Sequence, residues 1–313
     1  MAALVRPDVL VLGAGGVLGE AWLRGFLSGA LDAGLDLAGC EYLQGTSAGA
    51  ILAAVLAAGA PLEDADADGR AWASAAGTGG GPPEPAPGER AGLAAVARGA
   101  ARVGAAALTP VARPALALAA PAGTVLRAAA LAAAPRRERR LDDLHERLVA
   151  LGARFDGRLR IATVERRTGR RVMFGAPGAP QAEVADAVLA SCAIPWVFAP
   201  VGIGGRDYVD GGLWSPTNLD AAPAARGARV LCLVPTAGPL LARQPFGEAV
   251  RTAVSAVTAT EAAALRSRGA SVRLVRPDAR SSAAMGGDLM DAGPRAAVLA
   301  AGRAQGRALA AGT

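Results

Sequence analysis

Within its first sixty residues the chain runs twice through one order: a short apolar run, a glycine-rich turn, then a long apolar segment. The first pass is VLVLGAGGVLGEAW (9–22) and the second is EYLQGTSAGAILAAVLAAG (41–59). In the first, residues 8–12 read as a buried strand and 16–33 as a helix. The helix rests on Val17, Trp22, Leu23, Phe26, Leu27, Ala30 and Leu31, which recur at three-to-four spacing, and Gly34 supplies a C-cap. In the second, residues 40–44 read as a strand and 48–58 as a helix that is apolar all round, as a core helix is. Strand–helix–strand–helix predicts a mainly parallel central sheet with helices on both faces, a three-layer α/β/α fold. The 313 residues suffice for a large core, and 1–313 is read as a single α/β domain.

Further strands are expected along the chain. RLRIATVERRTGRRVMFG (158–175) resembles two strands joined by a turn at Thr168-Gly169. Residues 181–192 read as a helix ending before Pro195, and 206–209 as a strand leading into Asp210-Gly211-Gly212. Residues 229–235 and 271–277 read as core strands, and 295–311 as a closing helix. From about 60 to 140 the character changes. GTGGGPPEPAPGE (77–89) reads as a flexible or disordered loop, followed by Ala-rich sequence broken by Pro110, Pro114 and Pro121. This stretch is read as a helical or partly disordered insertion.

Composition sets bounds on partners and compartment. All 33 basic residues are Arg, there is no Lys, and the net charge is +6. Such a balance suits anionic phosphate groups or lipid surfaces, although an Arg- and Ala-rich coding bias explains it as well. No nucleic-acid partner is expected, and oligomeric state is not legible. The cysteines, Cys40, Cys192 and Cys232, are widely spaced and odd in number, which suits a reducing compartment and no metal site. The start carries no signal-peptide pattern, so a cytoplasmic location is expected, with room for peripheral membrane contact. Tyr42–Leu62 is 21 residues without charge, long enough to span a bilayer. Gln44, Thr46, Ser47 and Pro61 fit a strand, a turn and a buried helix better.

Gly45-Thr46-Ser47-Ala48-Gly49 is a G-x-S-x-G between an apolar strand and an apolar helix. That context suits a nucleophile elbow, in which small residues let the chain turn sharply and expose a serine hydroxyl at a helix N-terminus. The plainer alternative is a serine that N-caps a core helix. A nucleophilic serine needs a base. The one histidine, His145, lies in a charged helical stretch, RRERRLDDLHERLVALG. It precedes every good acid candidate in the second half, the reverse of the Ser, acid, His order of α/β-hydrolases, and reads as a surface histidine. An aspartate must then take the proton. Asp210 ends an apolar strand and is followed by Gly211 and Gly212, which permit a close turn; alone, the same three residues spell an ordinary strand-ending turn.

Taken together, the glycine turn opening a helix, the Gly-Thr-Ser-Ala-Gly elbow about 30 residues later and the downstream Asp-Gly-Gly resemble the patatin-like phospholipases. ASCAIPWVFAPVGIGGRDYVDGGLWSPTNLD (190–220) is similar to the segment around that family's catalytic aspartate. The resemblance covers about 8–60 and 158–235, and hardly touches 60–140. It implies a Ser47–Asp210 dyad without histidine, acting on a lipid acyl ester through an acyl-enzyme. It further implies an oxyanion hole from backbone N–H groups of Gly15, Gly16 and Val17, with Gly13, Gly19, Gly45, Gly49, Gly211 and Gly212 as motif glycines. No metal and no organic cofactor are implied. The family's glycine motif carries a basic residue where this chain has Leu18, so the likeness speaks for esterase chemistry more firmly than for phospholipid preference.

Two other readings stand beside this one. Gly13, Gly16 and Gly19 have the spacing with which extended short-chain dehydrogenases approach a pyrophosphate, which would make a Rossmann-like NAD(P)-binding protein. Against it, Leu18 breaks G-x-G-x-x-G, no lysine exists, and the serine elbow stands where a ribose-binding acid belongs. The other reading is a patatin-like protein that binds lipid without catalysis.

Overall fold

The computed structural model describes residues 3–62, 124, 127–134, 138–238 and 245–312. Val9–Leu12 (β1) is buried at every position, as a central strand flanked on both faces must be. It pairs in parallel with Tyr42–Thr46 (β2) on one side and Arg229–Leu233 (β7) on the other. Ser271–Val275 (β8) adds in parallel beyond β7, and Leu159–Glu165 (β3) in parallel beyond β2. Three antiparallel strands complete the eight-stranded sheet: Arg171–Phe174 (β4) and Arg206–Asp210 (β6) on β3, and Val201–Ile203 (β5) on β6.

Alternation along β1 sorts the core into two layers. Leu10 and Leu12 join the cluster of Gly16–Asp32 (α1), Ala48–Ala57 (α2) and Val184–Cys192 (α4), with Val298 of Arg295–Ala311 (α7). Val9 and Val11 face the other way, toward Val254, Ala262 and Leu265 of Pro245–Ser267 (α5). Asp142–Leu151 (α3) and Ala279–Met285 (α6) are peripheral to this sandwich. The observed architecture is therefore mixed α/β with a mostly parallel sheet between helical layers.

β3 is the strand that organises the functional end. Its residues Leu159–Ala162 pair with β2 and its residues Thr163–Glu165 pair with β6. β4 occupies Ile161–Val164 from the opposite edge, so β2 and β6 lie end to end along one edge of β3. Thr46 stands opposite Ala162, and Asp210 opposite Thr163. The two strands point their C-terminal ends at each other, which brings residue 47 face to face with residue 210.

The strand and helix expectations hold, with shifts of up to about three residues and the extension of β6 to Asp210. β2 runs to Thr46 rather than ending at 44, because Gly45 and Thr46 pair with Ile161 and Ala162; no spacer remains between strand and Ser47. The first helix ends at Asp32 with Ala33 as C-cap, and Gly34 follows with φ +83. Most of the 60–140 insertion, including 77–89, lies outside the described residues. Residues 127–133 are helical, and Leu131 packs on Val164, Val209, Leu213 and Trp214. Among the described residues no helix is long and apolar enough to cross a membrane.

The α1–α7 contact is set by glycine on both helices. A Cβ on Gly25 would collide with the Leu299 carbonyl, one on Gly29 with the Arg303 carbonyl, and one on Gly306 with the Phe26 carbonyl. The backbones touch directly, and Trp22 Nε1 donates to Gln305 Oε1 at 2.9 Å across the seam. Gly25→Val or Gly306→Val should therefore lower stability by about 3 kcal/mol or more, measured by urea denaturation. Gly59→Ala, where a Cβ meets nothing within 4 Å, should cost about 1 kcal/mol for its positive φ alone.

Candidate active site

Ser47 lies between β2 and α2 with φ 53 and ψ −119, a conformation rare for a residue with a Cβ and worth about 1–3 kcal/mol of strain. Its neighbours make that turn the one available. A Cβ on Gly45 would collide with Cα of Ala50, and one on Gly49 with the Leu12 carbonyl, so α2 packs directly onto the ends of β1 and β2. Ser47 occupies the N-cap position but makes no side-chain cap bond. Its hydroxyl instead lies toward the Asp210 carboxylate, close enough to favour the ionised form of that group.

Asp210 ends β6 and is buried. Its Oδ1 accepts from the Gly212 N–H at 2.7 Å, and its own N–H donates to the Ala193 carbonyl at 3.0 Å. Burial raises its pKa to about 6, opposed by the Gly212 hydrogen bond and the Ser47 hydroxyl, which favour the ionised form. A carboxylate near the edge of neutrality beside a serine hydroxyl has the pKa a general base needs.

The end of α4 holds both partners. Ser191 Oγ accepts from the Ser47 N–H at 2.8 Å and donates to the Ala162 carbonyl at 2.7 Å, while Ala193 takes the Asp210 N–H. Ala162 lies where β2 stops and β6 begins, so Ser191 fills a gap in the ladder and anchors the elbow at once. Gly211 crosses the same spot, where a Cβ would collide with the Ala162 carbonyl.

The glycine turn faces this pair, since Leu12 is in register with Gly45. Gly13 N–H donates to Leu233 O at 3.0 Å, Ala14 N–H to Pro216 O at 2.8 Å and Leu18 N–H to Leu289 O at 3.0 Å. Gly19 N–H closes back on Gly15 O at 2.9 Å, with its Cα packed near Pro235. Among the described residues, the N–H groups of Gly15, Gly16 and Val17 take no hydrogen bond, nor does that of Ala48 at the start of α2. Two helix N-termini thus present unpartnered donors, the arrangement that holds negative charge. Gly16 has φ +61, and a Cβ there would stand 2.9 Å from the Leu289 carbonyl oxygen, so the loop cannot carry a side chain at its crest.

A family model described as a patatin-like phospholipase matches residues 10–223, more than half of the chain. The chain belongs to the patatin-like phospholipase family. Members of this family are lipid acyl hydrolases. Among solved structures, VipD from Legionella pneumophila is similar at 16% identity with a TM-score of 0.49, over 98% of this chain and 67% of that one. No curated protein matches by sequence.

Two departures from simple patatin-like expectations are resolved by position. Leu18, where the family motif has a basic residue, is completely buried in the core under α1; in this chain that position belongs to packing. His145 on α3 pairs with Asp186, Nε2 to Oδ1 at 3.0 Å. Both line a cavity of about 300 Å³ with Leu189 and Phe198, on the face of α4 turned away from Ser191. The histidine is accordingly a half-exposed hydrogen-bonding partner of Asp186.

Ser191, Ala48 and the buried Asn218 are site residues that the sequence reading passed over. Ser191 sits 144 positions from the residue it bonds, and no local pattern in VLASCA (188–193) marks it. For Ala48 a signal existed, since the residue after an elbow nucleophile opens a helix with its N–H free.

Asp210 also makes a stability prediction. Its folded pKa lies above its ordinary 3.8, so the native state binds more protons than the unfolded chain between about pH 4 and 6. Stability contributed by this group is therefore lost as pH rises through that window. Asp210→Asn, which keeps the acceptor for Gly212, should stabilise the fold at pH 7.5 by on the order of 2 kcal/mol. Denaturant melts should show the gain vanishing below about pH 4.

Proposed function

We propose that the chain hydrolyses the acyl ester bond of a lipid, with Ser47 as nucleophile and Asp210 as its general base. The observation that carries the reading is the meeting of the Ser47 turn with the buried Asp210 at adjacent positions of β3, where burial lifts the carboxyl pKa to about 6, beside the N–H groups of Gly15, Gly16 and Val17 that take no partner among the described residues. Ser47 Oγ attacks the ester carbonyl carbon as its proton passes to Asp210. The carbonyl oxygen takes up negative charge against the glycine-turn N–H groups, each such donor being worth about 3 kcal/mol of barrier. Collapse breaks the ester C–O bond, and Asp210 returns the proton to the departing alcohol. A water molecule then gives its proton to Asp210 and attacks the acyl-serine, which releases the carboxylic acid and restores Ser47.

Leu18 in the core offers no cation to a phosphate, so the reading names an acyl ester of a lipid and leaves the head group open. The dyad also argues against a non-catalytic lipid binder, because a buried carboxylate with no chemical task costs stability for nothing.

Assays with p-nitrophenyl esters of increasing chain length test the reading. Ser47→Ala and Asp210→Asn should each lose at least about 10³-fold in kcat, while His145→Ala keeps most of the rate. Activity that survives in Ser47→Ala sinks the mechanism. As only ionised Asp210 accepts the proton, kcat/KM should rise with pH and level off above an apparent pKa of about 6. A profile that falls through that region would assign Asp210 the wrong role.

A further inference from the structure

On the side of the dyad away from α4, residues 215–219 close a polar knot that the mechanism above does not use. At its centre is Asn218, completely buried and left-handed at φ 49, a conformation asparagine tolerates better than most residues. Its Nδ2 donates to Thr46 Oγ1 at 3.2 Å, to the Gly211 carbonyl at 3.3 Å and to the Ser215 carbonyl at 2.8 Å. Thr46 precedes Ser47 and Gly211 follows Asp210. One side chain therefore ties together the two strand ends that carry the dyad, while bonding neither functional group.

Asn218 is itself held from every side. Its N–H donates to Ser215 Oγ at 3.0 Å, and its carbonyl accepts from Gln44 Nε2 at 2.8 Å on β2. Its Oδ1 faces Arg171 Nη1 at 3.4 Å. Behind it, the buried Glu261 of α5 accepts from the Thr217 hydroxyl at 2.7 Å and the Leu219 N–H at 3.0 Å. Ser215 and Asp220 also lie near Glu261, and burial together with the Asp220 charge raises the Glu261 pKa to about 7. Arg171 pairs with the Asp220 carboxylate and Arg268 donates to its carbonyl at 2.6 Å; among the described residues the Cys232 thiol also faces Glu261. A buried polar network is costly unless nearly every member is paired, and when paired it fixes one geometry.

We propose that Asn218 is a positioning residue that sets the Ser47–Asp210 separation, and that Glu261 keeps Asn218 in place from behind. The proposal rests on the dyad reading above. Loosening a reacting pair by a fraction of an ångström to 1 Å costs up to about 10²-fold in rate, and the loss falls on the chemical step rather than on substrate binding.

The test is steady-state kinetics together with the rate of labelling by a fluorophosphonate, for six variants. Asn218→Ala should lower kcat and the labelling rate by about 30-fold or more, with KM within about twofold. Thr46→Val, isosteric and lacking the Asn218 acceptor, should lower both by about 3- to 10-fold, and it carries the test should Asn218→Ala fail to fold. Glu261→Ala should lose about 10-fold or more. Glu261→Gln should restore most of that loss, because its amide carbonyl still accepts from Thr217 and Leu219. Wild-type kcat in Thr46→Val and Asn218→Ala, losses confined to KM, or equal damage from Glu261→Gln and Glu261→Ala would each overturn the proposal. Ser47→Ala and Asp210→Asn control the premise separately: labelling that persists in Ser47→Ala overturns the dyad itself, whatever the other variants do.

Discussion

Everything at the functional end depends on how β3 divides one of its edges between two strands. β2 runs parallel along Leu159–Ala162, and β6 runs antiparallel along Thr163–Glu165. Their ends meet opposite Ala162 and Thr163, and each end carries one member of the dyad. β2 leaves the sheet by a sharp turn into α2, which puts Ser47 at the N-terminus of that helix. An antiparallel strand arriving head-on delivers a carboxylate to the same point from the opposite direction. The break this leaves in the ladder is closed by Ser191, whose hydroxyl serves the Ala162 carbonyl and the Ser47 N–H together.

That junction is unfavourable when considered alone. Ser47 sits in a strained conformation, and among the described residues Asp210 has no cation beside it and several helix N–H groups go unbonded. On the proposed mechanism these liabilities serve charge that is absent at rest and forms during ester cleavage. The compensation comes from surrounding contacts: glycines that let α2 and the 211–213 turn press against strand ends, the α1–α7 seam, and the bonded network from Asn218 back to Glu261. On the proposed mechanism, removing the acid group from such a site would relieve the fold at the expense of the chemistry, the usual opposition of stability and activity.

How legible this was in the sequence follows from range. The β1–α1 and β2–α2 units were readable because apolar period and glycine turns are local, and the elbow and Asp210 were readable as types. The exact end of β2 was not, since Gly45 is a poor strand former and is held in the strand, with Thr46 after it, by pairing with Ile161 and Ala162. Helix α5 was not, because PFGEAVRTAVSAVTATEAAALRS opens with Pro245 and mixes β-branched residues into the pattern; its apolar side is defined by β7 and β8. Leu18 looked like a lost contact to substrate because the motif is linear, whereas the helix turns that position into the core. Asn218, Ser191 and Glu261 act across spans of 172, 144 and 44 residues, and such distances leave no pattern along the chain.

The central claim is that the two strand ends and two helix N-termini form one acyl-transfer site. A crystal structure of the protein after reaction with an alkyl fluorophosphonate tests it most directly. The account predicts a phosphonyl group on Ser47 Oγ, with its phosphoryl oxygen within about 3 Å of the N–H groups of Gly15, Gly16 or Val17 and Asp210 facing the ester oxygen. An adduct on another residue, or a phosphoryl oxygen turned away from the glycine turn into solvent, would contradict it.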